Sequence, residues 1–212
     1  MILKTESYTI QTRSWPGSGR HILAHHDDES VIVYQAYRPE IGQYAAEHGR
    51  FGGAFSFSRM SWIKPNFLWM MYRSGWGTKA GQEVTLAIRL RRAFFDEILE
   101  AAVPSTFNPE LFATREEWQA CVRKSSVRLQ WDPDHGPSGQ KVERRAVQLG
   151  LRGDVLRRYG QEECLAIYDI SDFVEAQRAN AVQPYRNLVI PQERVYTPGD
   201  PTACSHLRLS AP

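Results

Sequence analysis

From Glu83 to Leu90 the chain runs EVTLAIRL, an unbroken alternation that sets Val84, Leu86, Ile88 and Leu90 on one side and Thr85, Ala87 and Arg89 on the other. A two-residue period belongs to a half-buried strand, with one face against a core. Ser30–Tyr37 (SVIVYQAY), β-branched and aromatic, is a second strand. Val127–Asp132 is a third, with Val127, Leu129 and Trp131 inward and Arg128, Gln130 and Asp132 opposite. Cys164–Ile170 is a fourth, and Arg145–Leu151 adds a further ordered stretch. Helices fall between them. Pro39 opens one that runs to about His48 and stops at Gly49, and Asn66–Ser74 follows Pro65 and stops at Gly75. Arg92–Ala102 is amphipathic and ended by Val103-Pro104. Arg115–Lys124 has Thr114 as N-cap and Glu117 at the capping-box position. Two more helices cover 153–160 and 172–181. Without a regular βαβ repeat, this mixture predicts an α+β fold, a mixed or antiparallel sheet with helices packed on it.

A chain of 212 residues, 42% apolar and 24% charged, is ordinary for a globular protein of one large or two small domains. No linker or repeat divides it. One domain is expected over residues 24–197, between an N-terminal arm at 1–23 and a C-terminal tail at 198–212. Residues 50–61 and Pro133–Gln140 form loops, and from Pro184 onward the chain is expected to lie over the surface. No apolar run approaches the roughly 18–20 residues that span a bilayer, so no membrane partner is expected. Met1-Ile2-Leu3-Lys4-Thr5-Glu6 lacks the regions of a signal peptide. Cys121, Cys164 and Cys204 are an odd, widely spaced set and no Asn-x-Ser/Thr acceptor occurs, which favours a reducing compartment, the cytoplasm by default.

The net charge of +2 conceals an asymmetry. Between Arg59 and Arg92 seven basic residues face one acid, Glu83, and between Arg123 and Arg158 nine face four. These windows carry +6 and +5, so the remainder carries −9. Such polarity either steers a polyanion to one face or marks two solvated basic faces. The first window is also aromatic: Arg59-Met60-Ser61-Trp62-Ile63-Lys64-Pro65-Asn66-Phe67-Leu68-Trp69-Met70-Met71-Tyr72-Arg73-Ser74-Gly75-Trp76. Helical spacing places Trp69 and Arg73 one turn apart, and rings interleaved with cations suit a nucleic-acid end. Phe67, Met70 and Met71 are expected in the core. Arg59, Lys64 and Arg73, set among apolar residues, need an ion-pair partner or a ligand.

Glu83 and Asp132 stand at strand ends, where a carboxylate either pairs with a neighbouring arginine, holds a cationic substrate group or acts as a base. His25-His26-Asp27-Asp28-Glu29, with His21, has the composition of a metal cluster, but adjacent residues of an extended segment point to opposite sides and no metal is expected. The cysteines lack metal spacing and are expected to be buried thiols. No phosphate-binding glycine loop of the common nucleotide-binding kinds is present, so no cofactor is expected.

Three segments together carry a resemblance: Val33-Tyr34-Gln35-Ala36-Tyr37, the run from Arg59 to Trp76, and Gln82-Glu83 with Gln130-Trp131-Asp132-Pro133. Over about residues 24–197 the chain resembles a bacterial and fungal family carried as a domain of unknown function, and is similar to fungal arginine-containing cyclodipeptide synthases. The resemblance implies condensation of arginine with a second amino acid into a diketopiperazine, drawn from two charged tRNAs. It implies Glu83, Lys64, Tyr72 and Ser74 as catalytic candidates, and Tyr34, Gln35, Arg59, Trp62, Trp69, Arg73, Gln130 and Asp132 as substrate-binding ones. The chain does not look like the bacterial cyclodipeptide synthases, so their nucleophilic serine is not transferred, and Ser74 before Gly75 also suits a plain helix end. Gln82-Glu83 before a strand faintly resembles ADP-ribosyltransferases, which use NAD, and a non-catalytic RNA-binding module is the third alternative.

Overall fold

The computed structural model describes residues 3–210; Met1, Ile2, Ala211 and Pro212, the outermost residues of the expected arm and tail, lie outside the described residues. The chain opens with strand β1 (Thr5–Ser7), a single helical turn α1 (Tyr8–Gln11), and strands β2 (Gly19–Arg20) and β3 (Ile22–Ala24). Strand β4 (Ser30–Tyr37) leads into helix α2 (Pro39–His48), and strand β5 (Ser61–Ile63) into helix α3 (Phe67–Ser74). Strand β6 (Val84–Arg91) runs directly into α4 (Arg92–Glu100), followed by β7 (Ala102–Pro104) and α5 (Arg115–Lys124). β8 (Val127–His135) and β9 (Lys141–Leu151) form a hairpin before α6 (Gly153–Gln161), β10 (Cys164–Asp169) and α7 (Ser171–Arg178). β11 (Val189–Pro191), β12 (Arg194–Tyr196) and α8 (Pro201–Leu207) close the chain.

The helix ends follow from the sequence. Gly49 and Gly75 take left-handed φ of 64° and 60°, where an L side chain would be strained, and stop α2 and α3. The Asn66 side chain caps α3 by accepting from the Trp69 amide at 2.7 Å. Thr114 caps α5 through the Glu117 amide at 3.1 Å, while Glu117 returns to the Ala113 amide rather than to Thr114.

β6 is the centre of an antiparallel sheet, with β4 along one edge from Ser30↔Arg91 to Tyr37↔Val84 and β10 along the other. A second sheet orders β2-β9-β8-β7, with β2 and β7 parallel to their neighbours and β5 also antiparallel on β9. The two sheets share one apolar cluster and are joined by an isolated backbone bridge. The Tyr34 amide donates to the Lys64 carbonyl at 2.7 Å and the Lys64 amide returns to Tyr34 at 3.3 Å, so the end of β5 stitches β4 to β9. Small pairs β1–β11 and β3–β12 flank this frame. The fold is α+β, as expected, with mixed sheets and packed helices.

Three expectations need correction. β6 is buried on both faces rather than one: Leu86 and Ile88 enter one apolar cluster with Val31, Val33 and Phe94, and Ala87 enters another with Ile32, Phe67 and Leu68. The loop expected over 133–140 shrinks to 136–140, because β8 continues through Pro133 across a local register shift to His135. Proline is tolerated at such an irregularity, where no ladder donor is needed. The segment after Pro184 is structural rather than superficial, since β11 and β12 pair with β1 and β3 and bury Leu188, Ile190, Glu193 and Tyr196.

Glu193 explains how that closing segment holds the centre. Its carboxylate accepts the Phe67 amide at 2.6 Å and the Asn66 side-chain amide at 3.1 Å, at the N-terminus of α3. Burial pushes its pKa well above the usual carboxylate range, with the Phe67 amide opposing. Glu193→Ala strands both donors, so a stability loss of about 3 kcal/mol is expected, read as a lowered denaturation midpoint at unchanged m. A midpoint within error of wild type would mean that water replaces the carboxylate.

Candidate functional site

Where β5 joins β4 to β9, the sheets part around a cavity of about 480 Å³. Its floor is a closed polar network. Gln35, 3% exposed, donates to Ser61 Oγ at 2.8 Å and the Trp62 carbonyl at 3.0 Å, and its own carbonyl accepts the Tyr159 hydroxyl at 2.6 Å. Tyr37 Oη shares Ser61 Oγ at 2.7 Å. Burial raises the pKa of both tyrosines, so both hydroxyls stay neutral.

The hairpin supplies the wall. Gln130 and Gln148 are register partners on β8 and β9 and both line the cavity. Both point an amide at Asp132, Gln130 to Oδ1 at 2.8 Å and Gln148 to Oδ2 at 2.7 Å. A carboxylate held by one neutral donor on each oxygen has a fixed plane. Lys64, 5% exposed, enters from the β5 side. Burial, and then the Arg73 cation, lower its pKa from 10.5 to about 8, while Asp132 pulls it up. No carboxylate oxygen among the described residues lies within 4.0 Å of its amine. The site thus holds an amine that is partly neutral near physiological pH and a carboxylate close enough to be felt by it.

Lys64, Gln35, Trp62, Arg73 and Gln130 therefore line one cavity, with Asp132 anchored behind Gln130. Arg59 lines an adjoining cavity of about 430 Å³ that shares Tyr37, Met60 and Ser61 with the first. The remaining candidates lie elsewhere. Trp69 and Tyr72 stack instead on His135, the Tyr72 ring 3.5 Å from it and nearly parallel. The Tyr34 ring is buried edge-on against Phe67, so only its backbone reaches Lys64. Ser74 is fully buried, its hydroxyl donating to the Met70 carbonyl and accepting the Gly77 amide, the helix-end role. Glu83 is exposed and accepts the Gly81 amide at 2.8 Å; Gln82, not Glu83, lines the cavity. Tyr37, Ser61 and Gln148 were absent from the candidates, and Gln148 acquires its place only through the pairing register with Gln130.

Part of the charge of the two basic windows is paired within the fold. Arg89 pairs with Asp27 and Glu29, Arg91 with Glu163 and Arg92 with Asp28. Arg144 forms a buried pair with Asp134 at 2.6 Å, and Arg158 bridges Glu97 and Glu163. Arg128 and Arg152 donate to carbonyls at the end of α5. Six of the sixteen cations in the two windows, Arg89, Arg91, Arg92, Arg144, Arg157 and Arg158, have a carboxylate partner among the described residues. Arg59, Lys64 and Arg73 are among those that form no ion pair, and they stand around the two adjoining cavities.

The histidine-acid segment is engaged by its neighbours. Asp27 accepts from the Ser30 amide and hydroxyl, and the His26 ring lies edge-on to Tyr196. Burial lowers the pKa of His25 and His26. No group of three or more potential metal ligands occurs among the described residues, and no described helix is long and apolar enough to cross a membrane.

Residues 21–196 match the family model described as "Domain of unknown function (DUF4291)". No curated protein matches the chain.

Proposed function

Because the chain belongs to the DUF4291 family and carries at its cavity a buried lysine beside an anchored carboxylate, we propose that it is an aminoacyl-tRNA-dependent cyclodipeptide synthase joining arginine to a second amino acid. Lys64 is the observation that carries the reading. An α-amine titrates near 8, and Lys64 at about 8 is matched to it, so proton transfer between them is close to balanced. Neutral Lys64 takes the proton as the α-amine of one aminoacyl group attacks the ester carbonyl of the other. A C–N bond forms, the ester C–O bond breaks, and the departing tRNA hydroxyl takes a proton back from Lys64. A second attack by the free amine of the dipeptidyl ester closes the ring and releases the second tRNA. The esters are already activated, so the chemistry requires neither ATP nor NAD.

Asp132 supplies the specificity. Its two oxygens, fixed by Gln130 and Gln148, match the paired N–H groups of a guanidinium. Arg59 and Arg73 sit where the terminal phosphates enter, and Trp62 offers a ring to a terminal base. Glu83, a catalytic candidate of this reading as well as the residue on which the NAD alternative rested, lies outside the cavity lining, as Asp132 itself does behind Gln130.

With two unpaired arginines, Arg59 and Arg73, offered to the terminal phosphates, affinity for charged tRNA is expected to fall about 7-fold between 50 and 200 mM salt, measured by filter binding. A drop of a thousandfold would place the RNA on a wider basic face. The reading itself is tested by small-molecule analysis of cells expressing the chain. A new arginine-containing cyclic dipeptide, absent with Lys64→Met, is expected; only arginine-free products, or none, would overturn it.

A further inference from the structure

A second cavity, of about 370 Å³, opens where β7 ends at Pro104 and the following loop leaves the exposed edge of β8. Three arginines converge on it. Arg20 and Arg145 are register partners on β2 and β9, which places their side chains on the same face of adjacent strands. Arg208, at the C-terminal end of α8, is the third. Like charges set directly opposite in a sheet are destabilising. The fold nevertheless fixes Arg20 there, since the Ser210 amide donates to its carbonyl and its own amide donates to Ser210 Oγ.

Little in the protein answers this charge. Arg208 meets Glu110 at 2.5 Å, Arg145 donates to the Trp131 carbonyl at 3.0 Å, and Arg20 has no carboxylate within 4.0 Å among the described residues. Burial, then Arg208 and Arg145, lower the Arg20 pKa, against Glu110. Two rings, Trp131 and Phe107, stand among the lining side chains, the Phe107 ring also carrying the Arg115 guanidinium at 4.8 Å. Trp131 has its indole N–H committed to the Leu207 carbonyl at 3.3 Å and offers its ring, and Phe107 lines the same space.

We infer that this cavity binds a nucleoside phosphate, its phosphate held by Arg20, Arg145 and Arg208 and its base against Trp131 and Phe107. Guanidinium forks match phosphate oxygens bidentately, and a doubly charged phosphate answers three cations where one carboxylate would not. The ring walls select a base-bearing phosphate over inorganic phosphate, and the volume suits a small ligand. The ligand is either a free mononucleotide or a nucleotide at the end of an RNA, which share this chemistry.

The inference stands apart from the reaction proposed above, and the two fail separately, because binding is read here without charged tRNA. Titration calorimetry on the full chain with AMP, adenosine, inorganic phosphate and a four-nucleotide RNA provides the test. AMP is expected to bind at least tenfold more tightly than either adenosine or phosphate. Tighter binding of the RNA than of AMP assigns the site to an RNA end, and the reverse to a free nucleotide. Arg20→Gln and Arg208→Gln are each expected to weaken AMP at least tenfold, while removal of a crowded cation leaves the melting temperature unchanged or higher. No heat with AMP and RNA, phosphate equal to AMP, or unchanged affinity in folded variants overturns the assignment.

Discussion

Lys64→Met is expected to lower cyclic dipeptide formation by about 10²–10⁴-fold, the range of a lost general base, while the protein stays folded and melts at the same or a higher temperature. The second half follows from burial. Moving the Lys64 pKa from 10.5 to about 8 corresponds to a penalty of about 3 kcal/mol on the charged amine in the folded state. The sign gives a further check. The penalty is complete below about pH 8, where the amine is charged folded and unfolded, and it fades as pH rises from about 8 to 10.5. Wild-type stability should therefore gain from this group across that window, and the Lys64→Met protein should lack the gain. Methionine fills similar volume without a charge, so a large fall in melting temperature would mean that Lys64 serves the structure instead of the chemistry.

Asp132→Ala is expected to cost arginyl-tRNA about 30-fold in kcat/KM, corresponding to about 2 kcal/mol for a half-buried charge pair with one partner removed. The second aminoacyl-tRNA should suffer far less, so the product mixture shifts away from arginine. A second signature separates this from general damage. Asp132 holds the Lys64 pKa up against burial and Arg73, so its loss moves the ascending limb of the pH–rate profile below about 8. An unchanged arginine preference would remove Asp132 from recognition and return Glu83 to consideration.

Much of the frame was legible because its signals are local. The β-branched run of β4, Pro39 and Gly49 around α2, Asn66 and Gly75 around α3, and Thr114 before α5 each act within a few residues. The closing segment was not legible, since strands as short as β11 and β12 show no period and find partners more than 160 residues away. β6 misled because Thr85 and Ala87 look like an open face, and only the packing of α3 and α7 over them shows otherwise.

The site divides along the same line. Lys64 and Arg73 stood out as cations among apolar residues, a local oddity that burial turns into a perturbed amine. Glu83 stood out as the one acid of a basic window, but that contrast dissolves once Asp27, Glu29 and Glu163 fold against the neighbouring arginines. The anchoring of Asp132 by Gln148 rests on the β8–β9 register, which no window of the sequence displays.

Purified protein supplied with arginyl-tRNA and a second aminoacyl-tRNA, without ATP or NAD, tests the central claim most directly. The expected result is a cyclic dipeptide containing arginine, formed at a rate that rises with pH through about 8 in wild type and is lost in Lys64→Met. Intact aminoacyl esters after prolonged incubation, or NAD cleavage in a parallel reaction, would contradict it.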